Sequence, residues 1–503
     1  MRVLNECFVN STSKSRGMRK NSRYYYVIEI MLRDGRGSMN IYDHFAHEDE
    51  YPELNIEAMS ERLAKALSFK TVYTDAETTD WSQFDALQQH IVDSFPYVMT
   101  AASNVEVVGH SLLIEIPGSN PKLPALMLIA HQDVVPVVPG TEDAWTHDPF
   151  GGDVDDTYVW GRGALDIKDM LMGELEALEY LLSQGFSPRR SIYLAFGEDE
   201  EVLSHGATKL AEVMASREMR AACLLDEGTT TFFDGSAYGA PEATVADICI
   251  SQKGFLNVKL TAPGHGGHSS NPFGGTSLEH LSCALAALSE AKPQPELNDI
   301  VKETFKVLAP EITEEPFASL VHDEDANADK IALAAAQIKE LYPFVTTTYA
   351  FNMLEGSSSA ANVMPGNVSA TINIRLLPGV SVEKTVEHIT QVVAQFDPSI
   401  EVEALHSTPA GRIDSPAGAG YQELKAIMEH YHPGVTFVPS FVCGGTDSVR
   451  YEGICDSILR ICPFRPTPED EANGVHGIDE RIEKRVYAQG VRVLVSFVKQ
   501  MCQ

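Results

Sequence analysis

Three short apolar runs each end in ionisable side chains. Leu126-Met127-Leu128-Ile129-Ala130 leads into His131-Gln132-Asp133. Residues 192–196 lead into Glu198-Asp199-Glu200-Glu201, and residues 221–225 into Asp226-Glu227. Runs of this length and composition predict buried strands. In an open parallel sheet, ligands bind beyond the carboxyl ends of the strands. One histidine and several carboxylates would then share a crevice. Adjacent carboxylates repel and take up protons unless a cation neutralises them. Imidazole with carboxylate suits zinc or a related divalent ion, so His131, Glu201 and Asp226 are the candidates that spacing alone supplies. Asp133 lies two residues past His131, on the same face of an extended chain, where its carboxylate can orient the imidazole. In the pair Glu200-Glu201, neighbouring side chains diverge, so one can hold a metal while the other acts as a general base on a water. A plain acidic loop is the competing reading. Asp166 ends Gly161-Arg162-Gly163-Ala164-Leu165-Asp166 just before a predicted helix, and on its own reads as a helix N-cap.

The elements around these residues alternate strand and helix. Residues 55–69 and 80–95 predict amphipathic helices. Residues 170–182 carry Leu171, Leu175, Leu178 and Leu182 at helical spacing, and residues 207–214 predict a further helix. This alternation predicts an α/β fold: a mostly parallel mixed sheet with helices on both faces. Near Ser251 the rhythm changes. Residues 257–261 and 368–376 alternate like half-exposed strands, flanking a helix-like stretch at 277–291 and an acidic segment at 311–330. The reading is an α+β domain at 251–405, inserted between catalytic parts at 47–250 and 406–503. Buried-strand patterns return at 435–442 and 457–462, and an amphipathic helix closes the chain at 482–499.

At 503 residues the chain is long enough for two or more domains. Its net charge of −33 argues against nucleic acid as a partner. No apolar run reaches the roughly 18 residues of a membrane helix, so no membrane partner is expected. The eight cysteines form no Cys-x-x-Cys pair, which predicts free thiols, no cysteine-built zinc site and a cytoplasmic location. Residues 1–38 hold eight Lys or Arg against three Asp or Glu. They read as a loosely ordered extension, to residue 46, or as an upstream start with Met39 the usual first residue; a targeting arm is the alternative.

Taken in order, the motifs resemble those of the dizinc aminoacylase and carboxypeptidase family, which includes carboxypeptidase G, carboxypeptidase S, acetylornithine deacetylase and succinyl-diaminopimelate desuccinylase. The matching stretches are Ala130-His131-Gln132-Asp133, residues 145–150, residues 161–168, Asp199-Glu200-Glu201, Leu225-Asp226-Glu227-Gly228, Gly267-His268-Ser269-Ser270, Asn362-Val363-Met364-Pro365-Gly366 and Val475-His476-Gly477. They run over about residues 47–503. Gln252-Lys253-Gly254, the long insert and Gly444-Gly445-Thr446-Asp447 are closest to the carboxypeptidase S and N-acyl-amino-acid hydrolase branch. Asp169 departs from the glycine of many relatives.

The resemblance implies a zinc-exopeptidase-like fold whose insert serves as lid or dimerisation domain, and two Zn2+ per chain, with Co2+ or Mn2+ as substitutes. One ion would be held by His131 and Asp226, the other by Glu201 and His476, with Asp166 bridging. Glu200 would be the general base, Asp133 the orienter of His131, and His268 the oxyanion donor, on its own subunit or on a partner's. Arg375, Asn362, Gly445 and Thr446 would hold the substrate carboxylate, although plain turns and a surface ion pair explain these four equally well. The implied activity is hydrolysis of an amide bond in a small molecule or short peptide with a free carboxylate, releasing an amino acid. A dipeptidase or narrow aminoacylase of the same fold is the alternative. A non-enzyme binding protein would lack ligands, and all five are present. Structural metals would show a closed coordination shell.

Overall fold

The central strands place their carboxyl ends side by side. A computed structural model of the protein describes residues 45–229, 232–467, 470 and 474–503; the sequence readings for residues 1–44 fall outside these. The main sheet has nine strands. Its order is Asn104–Val108, Ser111–Ile116, Ile192–Gly197, Ala125–His131, Ala221–Asp226, Ile458–Arg460, Ala240–Gln252, Val435–Val442, with Phe233–Gly235 pairing Ala240–Gln252. Ala125–His131 is flanked in parallel by Ile192–Gly197 and Ala221–Asp226. Ile458–Arg460 continues parallel beside Ala221–Asp226. These strands are buried along nearly their whole length, which explains their continuous apolar composition.

Helix His205–Ser216 covers one face, packing Ala207, Leu210 and Met214 on Met127, Ile129, Ala195 and Leu224. On the other face lie helix Lys168–Ser183 and the C-terminal helix Lys484–Cys502, packed on each other and on Ala125–His131. Phe464 wedges between those two helices where both carry glycine. A Cβ on Gly490 would lie 2.1 Å from its ring, and one on Gly173 2.7 Å.

A separate four-stranded antiparallel sheet has the order Thr348–Glu355, Val368–Leu376, Gly254–Ala262, Glu401–Thr408. Gly254–Ala262 alternates buried and half-buried residues, as one covered face requires. Helices Ser277–Glu290 and Val382–Phe396 supply that cover through Leu281, Ala284, Leu288, Ile389 and Val393. Each fully buried Leu, Ile or Val side chain among them contributes about 1.5–3 kcal/mol. Ala240–Gln252, the longest strand, belongs to the main sheet, and only Lys253 separates it from the second sheet. No helix of the described residues is long and apolar enough to cross a membrane. The seven cysteines among the described residues are free.

Candidate metal centre

Three adjacent strand ends and two loops build the site. His131 is the last residue of its strand and is buried. Its Nδ1 lies 2.9 Å from the backbone oxygen of Asp133. A carbonyl can only accept, so Nδ1 carries the proton and Nε2 presents its lone pair. That Nε2 is 3.1 Å from Asp166 Oδ1 and 3.9 Å from Glu227 Oε1. The other oxygen of Asp166, Oδ2, lies 3.0 Å from His476 Nε2, which is 3.2 Å from Glu201 Oε2. Two ligand groups therefore share Asp166: His131, Asp166 and Glu227, and Asp166, Glu201 and His476, each with donor atoms within 4.8 Å of one another. At metal–ligand distances of about 2.0–2.1 Å, the edges of a tetrahedral site are about 3.3 Å, which these spacings straddle. Both donor sets are imidazole plus carboxylate, with one carboxylate oriented to serve both, and they fit a pair of zinc-like ions.

Burial and like charge set the electrostatics of the site. Burial raises Glu200 well above the usual carboxylate range, and Asp447, Asp166 and Asp133 push it further against the pull of His131. Burial, then Glu200 and Asp166, raise Glu227 likewise. Burial opposes the charged form of His131, yet Asp133 and Asp166 outweigh it and raise the ring. His476 is pushed up to about 10 by Asp166 and Glu201.

Asp166 caps nothing. The N-cap position of helix Lys168–Ser183 is Ile167, with no side-chain cap bond, and the Asp166 carboxylate faces the two histidines. Its loop is pinned by Glu480, which accepts from Arg162 Nη1 and from the N–H groups of Gly163 and Leu165. Asp133 offers the site both its carboxylate and its carbonyl. Its carboxylate is 3.4 Å from His131 Nδ1, and its two oxygens accept the N–H groups of Glu200 and Glu201 at 3.1 and 3.2 Å. The carboxylate thus fixes the Glu200-Glu201 backbone, while the Asp133 carbonyl orients the imidazole. His476 sits at φ 64°, a left-handed backbone that non-glycine residues adopt at some cost, and often at functional sites.

Asp226 and Glu227 occupy different places at the strand end. Asp226 lies outside the two groups, and Glu227 stands beside His131. Asp226 is paired in the sheet with buried Arg460, and its Oδ2 accepts the Ser448 N–H at 3.1 Å. Glu227, one residue past the strand, turns toward the crevice. Adjacent acids at a strand end give no sequence signal for which one turns inward.

The substrate candidates are distributed. Thr446 is buried, with its hydroxyl on Gln252 Oε1 and Ser448 Oγ, and Gly445 is exposed on the same turn. Arg375 pairs with no acid among the described residues; its guanidinium lies over the Phe255 ring at 5.0 Å. Lys253 adds a buried cation that sequence reading passed over as a motif letter. Its Nζ donates to Thr346 O, and burial, with Arg375 nearby, lowers it to about 8. His268 and Asn362 lie together on exposed backbone, joined by Ser269 N–H to Asn362 O. Ser270 N–H donates to His268 Nδ1, which leaves the ring proton on Nε2. No contact joins His268 to the metal-ligand groups among the described residues.

Residues 127–500 match Peptidase family M20/M25/M40. The chain is 32% identical over 480 residues to the mouse N-fatty-acyl-amino acid synthase/hydrolase PM20D1, covering 93% of this chain and 91% of that one. It is 30% identical over 461 residues to a probable carboxypeptidase S-like protein of Dictyostelium discoideum, covering 90% and 87%. The M20 family metallo-carboxypeptidase Sso-CP2 of Sulfolobus solfataricus has the same fold, with a TM-score of 0.66 at 18% identity over 88% of this chain and 98% of that one.

Proposed function

The chain belongs to Peptidase family M20/M25/M40 and is a peptidase or amidohydrolase, and we propose that it hydrolyses N-acyl amino acids whose acyl group is a long aliphatic chain. The observation that carries this reading is a set of exposed apolar side chains that neighbour the site's residues in sequence. Val138, Val202, Leu203, Val475 and Ile478 are large apolar side chains between 37% and 59% exposed, and they follow or flank Asp133, Glu201 and His476 in sequence. Exposed aliphatic side chains that neighbour a polar site in sequence offer it an apolar ligand surface. Similarity to the mouse N-fatty-acyl-amino acid enzyme points the same way. The second reading is a carboxypeptidase of short peptides, favoured by the Dictyostelium relative.

In this proposal His131, Asp166 and Glu227 hold one zinc ion and Asp166, Glu201 and His476 the other, with Asp226 bound to the protein rather than to metal. When bound, such ions lower the pKa of a water and polarise the scissile carbonyl. Glu200 takes the proton of the attacking water and passes it to the leaving nitrogen. His268 donates from Nε2 to the oxyanion once the segment around residues 251–405, read as a lid or dimerisation domain, brings it to the crevice. Support for a dimer comes from the edge strand Thr348–Glu355, where Phe351, Met353 and Leu354 are exposed. The substrate carboxylate binds Arg375 and Lys253, two cations without an acidic partner among the described residues, beside the Gly445-Thr446 turn and Asn362. Free cysteines are compatible with a cytoplasmic location.

The test is a substrate panel: N-acyl amino acids of increasing acyl length, their carboxamide counterparts, and dipeptides. Turnover is expected to rise with chain length and to collapse for the carboxamides. Faster cleavage of dipeptides than of every long-chain substrate would favour the second reading. Glu200→Gln is expected to keep its metal and lose most turnover; near-normal kcat would remove Glu200 from the role.

A further inference from the structure

A buried amide at the end of the main sheet carries a donor that the fold does not use. Strand Val435–Val442 runs parallel to strand Ala240–Gln252, and Val442 stands opposite Gln252 where both strands end. Ligands bind beyond such paired carboxyl ends. Gln252 is 1% exposed. Its Oε1 accepts from Arg460 Nε at 3.1 Å and from the Thr446 hydroxyl at 3.0 Å. A guanidinium can only donate, so the amide atom between these two groups is the oxygen. The amide nitrogen, Nε2, is thereby turned away from both. It has no hydrogen-bond partner among the described residues. Unlike Nη1 and Nη2 of Arg460, it is not sealed from solvent. It borders the exposed turn at Gly445. A Cβ on Gly445 would lie 3.6 Å from Nε2 and, adjoining residues apart, would meet no other atom within 4 Å. The space beside Gly445 is therefore open and has an amide NH2 on its wall.

The surroundings hold the amide in this orientation. Arg460 is 1% exposed and stands in register with Asp226 on the adjacent strand. Ser448 Oγ lies 2.7 Å from the Thr446 hydroxyl, and the Ser448 N–H donates to Asp226 Oδ2. Gly411 closes over the pair: a Cβ there would lie 3.0 Å from Gln252 Cγ and 3.5 Å from Arg460 Nη2. A strut between Arg460 and Thr446 requires only an oxygen, which a carboxylate would supply with a full charge against Arg460. Glutamine supplies the same oxygen and adds an outward NH2. The cation behind Oε1 polarises the amide and strengthens that NH2 as a donor.

We infer that Gln252 Nε2 donates a hydrogen bond to the free carboxylate of the substrate at the Gly445-Thr446 turn, with Arg460 as the positioning residue that orients the amide. This rests on the proposed reading of that turn as the carboxylate site. It adds a neutral donor beside Lys253, the next residue in the chain. A carboxylate offers acceptors in every direction, whereas the NH2 of a carboxamide would face a second donor. Gln252 is thus a specificity-determining residue for acids over amides.

Gln252→Glu tests this with little change of structure, because it keeps the oxygen between Arg460 and Thr446 and replaces only Nε2. Zinc-loaded, full-length wild type and variant are compared on the carboxylate of the substrate panel that wild type cleaves best, and on its carboxamide. KM for the carboxylate is expected to rise by about tenfold or more, as for loss of a hydrogen bond to a charged group, with kcat little changed and zinc content unaltered. The preference for carboxylate over carboxamide falls by the same factor. Gly445→Ala, whose methyl group covers Nε2 without a clash, is expected to shift KM the same way and keeps the test decisive if the buried variant folds poorly. Arg460→Met releases the amide and is expected to raise KM for the carboxylate while leaving that for the carboxamide in place, a split that loss of packing alone would not give. An unchanged KM and preference in folded Gln252→Glu or Gly445→Ala would overturn the inference and leave the carboxylate reading standing. A wild type with no preference for the carboxylate would overturn both.

Discussion

Replacing Asp133 by asparagine separates two ways of holding the metal centre together. The Asp133 carboxylate is fully buried and receives the Glu200 and Glu201 N–H groups on its two oxygens, while His131 Nδ1 makes its shorter contact with the Asp133 carbonyl. An amide keeps one accepting oxygen and sets an NH2 group against the other backbone donor. One buried N–H is then unpaired, at a cost of ~1–3 kcal/mol. Expressed as an equilibrium, that is a factor of about 5–150, applied to the segment that carries Glu200. Two measurements on Asp133→Asn follow: chemical denaturation of chelator-treated protein, and kcat of the zinc-loaded protein. Metal-free stability is expected to fall by ~1–3 kcal/mol, and kcat by about tenfold or more, since misplacing a catalytic group by an ångström is that costly. The reasoning is refuted if metal-free stability is unchanged while metal affinity drops by about 10–100-fold, the signature of a carboxylate that serves only the metal-bound imidazole.

Three other perturbations test separate parts of the structure. Glu227→Gln is expected to remove about one zinc per chain by elemental analysis, with Asp226→Asn retaining it but losing stability beside Arg460; the reverse pattern would return the ligand role to Asp226. Gly490→Ala drives a methyl group into the Phe464 ring and is expected to destabilise by ~1–3 kcal/mol in denaturant, although alanine is the better helix former by about 1 kcal/mol; a gain in stability would contradict that packing. His280 is raised by its bond to Asp397, and Asp397 is lowered to about 2 by the same bond. The aspartate's contribution is present above its ordinary value of about 3.9 and is lost as pH falls through about 2; the histidine's is full below about 6.5 and is lost as pH rises through its raised value. Both side chains are partly exposed, so His280→Gln is expected to cost under about 1 kcal/mol at pH 5.5 and less at pH 9.5. An equal cost at both pH values would show that the ion pair is not its origin.

Particular residues show why some of this was legible in the sequence and some was not. The strands ending at His131, Gly197 and Asp226 were readable because burial on both faces demands uninterrupted apolar runs, and the parallel sheet brings their ends together. Helix Lys168–Ser183 followed from leucine spacing. Strand Ala240–Gln252 carries Glu242, Asp247 and Gln252, which interrupt the apolar run and hide the longest strand of the sheet. Asp166 looked like a cap because local spacing cannot reveal that two histidines, 35 residues before and 310 after, close on it. His476 has no local signal, since its placement rests on a loop that Glu480 pins to residues 162–165. The choice between Asp226 and Glu227 depends on sheet register, which no sequence window shows.

The most direct measurement of the central claim is metal-dependent amide hydrolysis. Release of the amino acid from a long-chain N-acyl amino acid is followed with the protein as purified, after exhaustive chelation, and after zinc is restored, with metal content measured each time. Turnover is expected to vanish with the metal and to return with zinc at the histidine–carboxylate pair centred on Asp166. Undiminished hydrolysis by protein that holds no metal would contradict it.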